Sequence, residues 1–379
     1  MKKVNETLFF LGSTHFIIHV FSQILPAVLP VIRQETGLSI HQAGWLVSIP
    51  LLVQVAFYLP AGAASDRRGA YVLGLSFVVT AAGAVLLTLA HGFSVLIVGF
   101  ALIALGSTMY HPPALKATSR VSGERLSMAM GIQNAGGSLG YSAGPIILGL
   151  LLPILGWRAS IYLWLPLVLG AALYSYRYFT RLEPSTMNRS SWGGLHSSLS
   201  GGLLVVMIAG AFTDLTFVNV STYITTYFTE VRGATAAASS IVFGLGPFLG
   251  IAGSLLGGWL GDRVGRRVGF MAYCIGMLVT IYMIPRAPGM ALASCLFIGW
   301  RALYSATMPL VNSLISVNSS VENRSLCFSV YFIMSSLMSA VAPLLASYLI
   351  EGWGLSVVFA LSALTVVPSI LLTWFMRAE

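Results

Sequence analysis

In a chain of 379 residues of which 57% are hydrophobic and only 8% charged, the ionisable side chains inside long apolar runs are where chemistry can be done. His15 and His19 stand one turn apart in the run Leu8 to Gln23, and with Gln23 they fall at i, i+4 and i+8, on one face of a helix. His111 precedes a double proline in Leu105-Gly106-Ser107-Thr108-Met109-Tyr110-His111-Pro112-Pro113. Asp214 lies in Ala211-Phe212-Thr213-Asp214-Leu215-Thr216, and Arg301 is followed one turn on by Tyr304. A strongly polar group in mid-bilayer costs a few kcal/mol unless it meets water or a partner. These residues are therefore expected either to line an aqueous path or, for the histidines, to bond neighbouring helices. A buried carboxylate is costly when charged, and a nearby histidine or Arg301 offsets that cost and makes Asp214 sensitive to the side of the membrane it faces; a static ion pair is the other reading. The Arg301 guanidinium can clamp a carboxylate or phosphonate through paired hydrogen bonds, or it can hold Asp214. Gln133, Asn134 and Tyr331 complete the candidate lining. The sequence holds no Ser/His/Asp arrangement, phosphate loop or metal-ligand spacing, so no catalytic residue, metal or cofactor is expected.

The elements that must position these residues are membrane spans. An ordinary soluble domain has about a quarter of its residues charged, whereas this chain has a mean hydropathy of +0.87. Apolar runs near 7–32, 42–64, 70–90, 94–116, 126–152, 157–179, 200–229, 235–260, 267–285, 290–315, 325–349 and 354–376 each approach the roughly 20 residues that cross a bilayer. The alternation of barrel strands is absent, and helices are the remaining way to satisfy the backbone in lipid. The expectation is an all-α membrane protein of twelve helices. Met1-Lys2-Lys3 precedes a run too long for a signal peptide and without a small-residue cleavage site, so it reads as a retained first helix. Cys274, Cys295 and Cys327 lie unpaired in apolar runs, where packing is their expected role. The formal charge of +9 is sorted by loop rather than gathered into a patch. Lys2, Lys3, Arg67, Arg68, Arg181, Arg189, Arg263, Arg266, Arg267 and Arg377 fall on one side of a twelve-helix arrangement, against Arg33, Arg158, Arg232 and Arg286 on the other. That bias puts both termini and the middle loop in the cytoplasm without calling for a nucleic acid.

The chain also repeats itself. Gly62-Ala63-Ala64-Ser65-Asp66-Arg67-Arg68-Gly69 has a near copy around Asp262-Arg263, with Asp66 and Asp262 196 positions apart. The same offset carries Gly37 onto Gly233, Pro113 onto Pro309, Gly156-Trp157 onto Gly352-Trp353 and Ser160 onto Ser356. One unbroken register is expected, with a six-helix half over 1–180, a polar linker over 181–199 and a second half over 200–379. The glycines of the repeated turn are expected to permit close helix approach, and its charges to act as a latch between conformations.

The pattern G-x-x-x-D-R-x-G resembles the signature of the major facilitator superfamily, and the later copy resembles that superfamily's degenerate second one. Gly131, Gly140, Gly144, Pro145 and Gly149 resemble its antiporter motif, with Leu148 in place of one glycine. The stretch Gly106-Ser107 to His111-Pro112, followed by Ser122-Gly123-Glu124-Arg125, looks like the fosmidomycin-resistance branch. The arginine that many drug/proton antiporters of the superfamily carry a turn before this glycine is replaced by Leu102.

The resemblance implies two related bundles rocking about a central path, where Asp214, level with Ile18 in the repeat, would approach His15 and His19. It implies export of a small organic molecule in exchange for protons, with Gly62, Asp66, Arg67, Gly69, Asp262 and Arg263 as gating residues. The basic balance of His15, His19, His111, Asp214 and Arg301 favours an anionic or zwitterionic substrate. The expected partners are that substrate, protons and the lipid of the inner (plasma) membrane, with the chain a monomer. Uptake of an organic anion by symport or uniport, and a receptor or scaffold that transports nothing, are the rival readings.

Overall fold

The computed structural model describes residues 2–122, 126–180, 201–319 and 324–376. The expected linker 181–199 and the segment Gly123-Glu124-Arg125 lie outside them. The described residues form twelve α-helices and two short 3-10 turns, with no strand. In order the helices are α1 (Lys2–Ser22), α2 (Ile24–Thr36), α3 (Ile40–Thr88), α4 (Phe93–Ser122), α5 (Leu126–Tyr162), α6 (Leu165–Thr180), α7 (Gly201–Glu230), α8 (Ala236–Val264), α9 (Arg266–Met283), α10 (Met290–Val317), α11 (Arg324–Trp353) and α12 (Val357–Leu372).

Helices and membrane passes are not one to one in the first half. The first expected pass is broken at Gln23 (φ −111, ψ 9) into α1 and α2. Pro26 explains the break, because it has no N–H to give the Ser22 carbonyl four residues back and its ring collides with that group. Helix α3 contains two passes and leaves helical geometry at Arg68 (φ −145, ψ 58), inside the repeated turn. Helix α5 runs through one pass into the next across Gly156 (φ 72, ψ 169). Ten described stretches are long and apolar enough to cross a membrane; one of them, 131–178, covers two of the expected passes, and α10 supplies the remaining one. Large apolar side chains such as Ile154, Leu255 and Leu364 stand exposed on the outside, which hydrocarbon tolerates and water does not.

The chain forms two compact units, one of Met1–Gln42, Ile49–Met187 and Ala236–Gly244, the other of Ala43–Ser48, Asn188–Thr235 and Leu245–Glu379. The repeat is visible in their backbones. Helices α3 and α8 begin at Ile40 and Ala236, and each follows a left-handed glycine, Gly37 (φ 65) and Gly233 (φ 68), a conformation that costs glycine little. Near the end of each copy the register slips. The left-handed glycines are Gly156 and Gly354, not Gly156 and Gly352. Trp157 is accordingly buried while Trp353 is 78% exposed, and Leu355 takes the inward place. The expectation of one unbroken register is corrected there.

In the first unit, α1 lies on a bare stripe of α5. A Cβ added at Gly136, Gly140 or Gly144 would come within 2.2, 2.3 or 2.4 Å of the carbonyl oxygens of Gly12, Phe16 and Val20. Both sets are spaced i, i+4, i+8, so one helix backbone seats directly on another, the packing that small residues allow. Gly140 and Gly144 belong to the antiporter-like motif; Gly136 does not, and at Gly131 a Cβ would meet nothing within 4 Å. Pro145 lies inside α5, whose one break in helical dihedrals is at Gly156. The second unit uses the same device between α8 and α10, with Gly253 and Gly257 against the carbonyls of Ala302 and Ala306.

An arginine closes a turn in each unit. Arg158 pairs with Glu35 (2.5 Å) and donates to the Ala90 carbonyl, and Arg232 donates to the Tyr227 hydroxyl and to the carbonyls of Ile284, Pro285 and Ala287. Cys274 and Cys327 are buried as expected of packing residues, but Cys295 is exposed.

Gly140→Val is expected to destabilise the protein by about 1–3 kcal/mol or more, because backbone rather than a flexible side chain would have to move. Thermal unfolding in detergent should show a clear fall in Tm for this variant and none for Gly131→Ala; equal Tm values would contradict the packing account.

Candidate functional site

The expected site residues fall into two clusters, one in each unit. In the first, α1 supplies His15 and, one turn later, His19, and α4 supplies His111. The ring centroids of His15 and His19 are 4.5 Å apart, and His111 is 5.3 Å from each. Nδ1 of His15 lies 2.7 Å from the main-chain carbonyl of Gln133 on α5. A carbonyl only accepts, so Nδ1 carries the proton and Nε2 is left with its lone pair. That Nε2 is buried and has no hydrogen-bond partner. Nδ1 of His19 is 3.2 Å from the Ser22 hydroxyl. His15 thus makes a bond to a neighbouring helix, α5, through Nδ1.

Around the rings stand residues the sequence reading passed over. Tyr110 is fully buried, donates its hydroxyl to the Leu11 carbonyl (3.0 Å) and stacks on His15 at 5.5 Å and 17°. The ring of Tyr141 is 4.1 Å from that of His19. Beneath both imidazoles is Gly137, where a Cβ would meet Cε1 of His15 at 2.7 Å and Cδ2 of His19 at 3.0 Å. The signal for Gly137 was its place beside Gly136 in α5, but only the packing shows what it clears space for. Gln133 is buried, and its side-chain oxygen accepts from Thr118 (2.8 Å). Gln23 is the residue at which α1 ends, so it does not extend the histidine face as a third helical turn. Asn134 is exposed.

In the second unit the Asp214 carboxylate on α7 is held by three hydroxyls. Tyr304 of α10 donates to Oδ1 (2.9 Å), and Tyr331 (2.7 Å) and Ser335 (2.5 Å), a turn apart on α11, donate to Oδ2. Arg301 is buried, with its guanidinium 4.3 Å from the centroid of the Phe217 ring and 5.5 Å from that of Tyr304. Phe217 and Tyr304 stack at 4.5 Å and 10°, so one aromatic pair positions both the arginine and a donor to Asp214. Phe217 was missed because an aromatic in an apolar run carries no signal of its own. Hydroxyls support a carboxyl group without neutralising it. Because an O–H both donates and accepts, a rotation of one of them serves the protonated acid as well as the ionised one.

The glycines of the repeated turn differ in packing: a Cβ at Gly261 would come within 2.3 Å of the Leu310 side chain. A Cβ at Gly62 or Gly258 would meet nothing within 4 Å, so these glycines are not contact points between helices. Gly69 is buried and Arg67 exposed, and Arg263 lies over the Trp259 ring at 4.3 Å. The side chains of Asp66 and Asp262 lie outside the described residues.

A helical chain of twelve passes with ionisable clusters inside its bundles is a polytopic membrane protein. The family model of the Major Facilitator Superfamily matches residues 11–343 and 206–379, and the chain belongs to that superfamily of transporters, which are not enzymes. Among its relatives, the fosmidomycin resistance protein of Escherichia coli (strain K12) is 23% identical over 283 residues, 72% of this chain and 69% of that protein. The MFS-type transporter YfnC of Bacillus subtilis (strain 168) is 22% identical over 276 residues, 70% of this chain and 67% of that one. The methyl viologen resistance protein SmvA of Salmonella typhimurium (strain LT2) is 29% identical over 179 residues, 46% of this chain and 36% of its own length. Crystal structures of a bacterial homologue of the human lysosomal transporter Spinster, in inward-facing occupied and unoccupied conformations, align with TM-scores of 0.81 and 0.80 over 98% of this chain and 96% and 95% of theirs. At 15% identity that likeness is one of fold.

Tyr331→Phe and Ser335→Ala should each cost about 1–3 kcal/mol by removing one donor from Oδ2 of Asp214. The double variant should lose more than the sum, since it strips that oxygen of both donors. Thermal unfolding of the four proteins measures this coupling, and strict additivity would show that the two hydroxyls act independently of the carboxyl group.

Proposed function

We propose that this transporter exports a small organic molecule in exchange for protons by alternating access, with Asp214 as the proton-carrying group. The observation that carries the reading is the setting of Asp214, whose two oxygens accept from Tyr304, Tyr331 and Ser335. A carboxyl group placed in a membrane span and served by neutral hydroxyls can be populated with and without its proton, which a coupling residue requires. Relatives named for resistance to fosmidomycin, to methyl viologen and to several drugs support export of an organic compound as the direction. The buried Arg301 favours a substrate with an anionic group, since a guanidinium offers paired donors to a carboxylate or phosphonate. The same arginine is the feature that favours the second reading, uptake of an organic anion. In either case the halves are 1–180 and 200–379, joined by a cytoplasmic linker, and the positively charged loops put both termini in the cytoplasm of a monomer in the inner membrane.

The test is flux in proteoliposomes under an imposed pH gradient, with fosmidomycin as the first compound tried. Wild-type protein should move it against its gradient when protons flow the other way. Asp214→Asn, which keeps the shape and can still meet the three hydroxyls, should retain its Tm and lose the response to pH. Undiminished pH-driven flux in that variant would remove Asp214 from the coupling mechanism, and accumulation running with the protons would favour uptake.

A further inference from the structure

The trio in the first unit has the composition and spacing of a metal site, a reading that the sequence did not offer. We propose that His15, His19 and His111 bind one late first-row transition-metal ion, tying α1 to α4, independently of any proton coupling at Asp214 in the other unit. One ligand nitrogen from each of the three rings can be chosen so that all lie within 4.8 Å of one another. Tetrahedral zinc with bonds of about 2.0–2.1 Å places its nitrogens roughly 3.3 Å apart, so the rings close on an ion by small side-chain rotations. Imidazole nitrogen is the donor that zinc, copper, nickel and cobalt accept most readily, and the absence of a carboxylate from the trio speaks against calcium or magnesium.

Two further observations point the same way. Nδ1 of His15 donates to the Gln133 carbonyl, which sets the tautomer and leaves the ring's lone pair at Nε2. That Nδ1–H to carbonyl bond is the outer contact which ligating histidines make. The Nε2 atom so prepared is buried and without any hydrogen-bond partner, a cost that a bound ion would remove. Ser22 stands in the matching position at Nδ1 of His19. Gly137 keeps the floor under both rings clear. Three neutral imidazoles leave a tetrahedral ion one open position and its full charge, which water, hydroxide or another small anion would complete.

The experiment uses the full chain without an affinity tag, purified in detergent, stripped with chelator and titrated with Co²⁺ and Zn²⁺. The expected result is one equivalent of Co²⁺ with the intense visible absorption of a tetrahedral site, its displacement by Zn²⁺, and a Tm that rises with metal concentration. His15→Ala, His19→Ala and His111→Ala should each weaken binding by at least ~100-fold, since even the outer contacts of such sites are worth 10- to 100-fold. Gly137→Ala should weaken it too while leaving all three ligands present. A variant lacking His41, His91 and His196 should bind as the wild type does. The proposal fails if the stripped protein takes up no stoichiometric metal, if His15→Ala/His19→Ala/His111→Ala still binds one equivalent, or if removing the other three histidines abolishes binding. Should the alanine variants fold poorly, His111→Gln with its Tm measured in the absence of metal gives the same reading.

Discussion

Hydrocarbon offers no hydrogen bond, and this one constraint organises the molecule. Every backbone group in a span must be served within its own helix or by a neighbour, so helices pass straight through and break only where something replaces the missing partner. Pro26 ends α1 because the Ser22 carbonyl loses its donor. The turns at Ala90 and at Ile284–Arg286 are finished by the guanidinium groups of Arg158 and Arg232. Many small hydroxyl side chains in the spans fold back on the preceding turn, as Thr108 does on Ala104 and Thr222 on Val218. Against that background the histidine trio and the carboxylate–hydroxyl cluster are conspicuous, because each gathers polarity across several helices instead of quenching it locally.

Both clusters depend on how closely helices pack. Lipid tails do not drive helices together as water does, so dispersion contact between bare surfaces has to hold them. The Gly136–Gly140–Gly144 stripe brings the backbone of α1 onto α5 closely enough for Nδ1 of His15 to reach the Gln133 carbonyl. The stripe of α8 does the same for α10, the helix that carries Arg301 and Tyr304. In the first unit the glycines thus set the height and rotation of the histidines, and Gly137 shows how little room is left over.

The two copies share scaffolding and differ in chemistry. The starts of α3 and α8 and the left-handed Gly37 and Gly233 before them recur at the same offset, because they answer to the bilayer and to backbone geometry, which are the same for both copies. The side chains in the interior answer to function. Ile18 is the counterpart of Asp214 in the repeat, an aliphatic side chain where the second copy has a carboxylate. The slip by two residues at Gly354 marks where even the scaffold stops being a copy, and Trp353 moves from the buried position that Trp157 keeps to an exposed one.

The sequence by itself determined that the chain crosses a membrane twelve times, that it is a duplication, and which few ionisable residues matter, because hydropathy, repeat offset and rarity of charge are all one-dimensional properties. It also pointed to Gly140 and Gly144, through a motif, whereas a Cβ at Gly131 or at the turn glycine Gly62 would meet nothing within 4 Å. Only the tertiary structure decided which of these residues meet. His111 comes from another helix than His15 and His19, Ser335 from another helix than Asp214, and Phe217 and Gly137 have no polar atom to betray them. Rotation of a helix about its axis decides such contacts, and rotation is set by the packing of small residues against backbone, which no local pattern in the chain records.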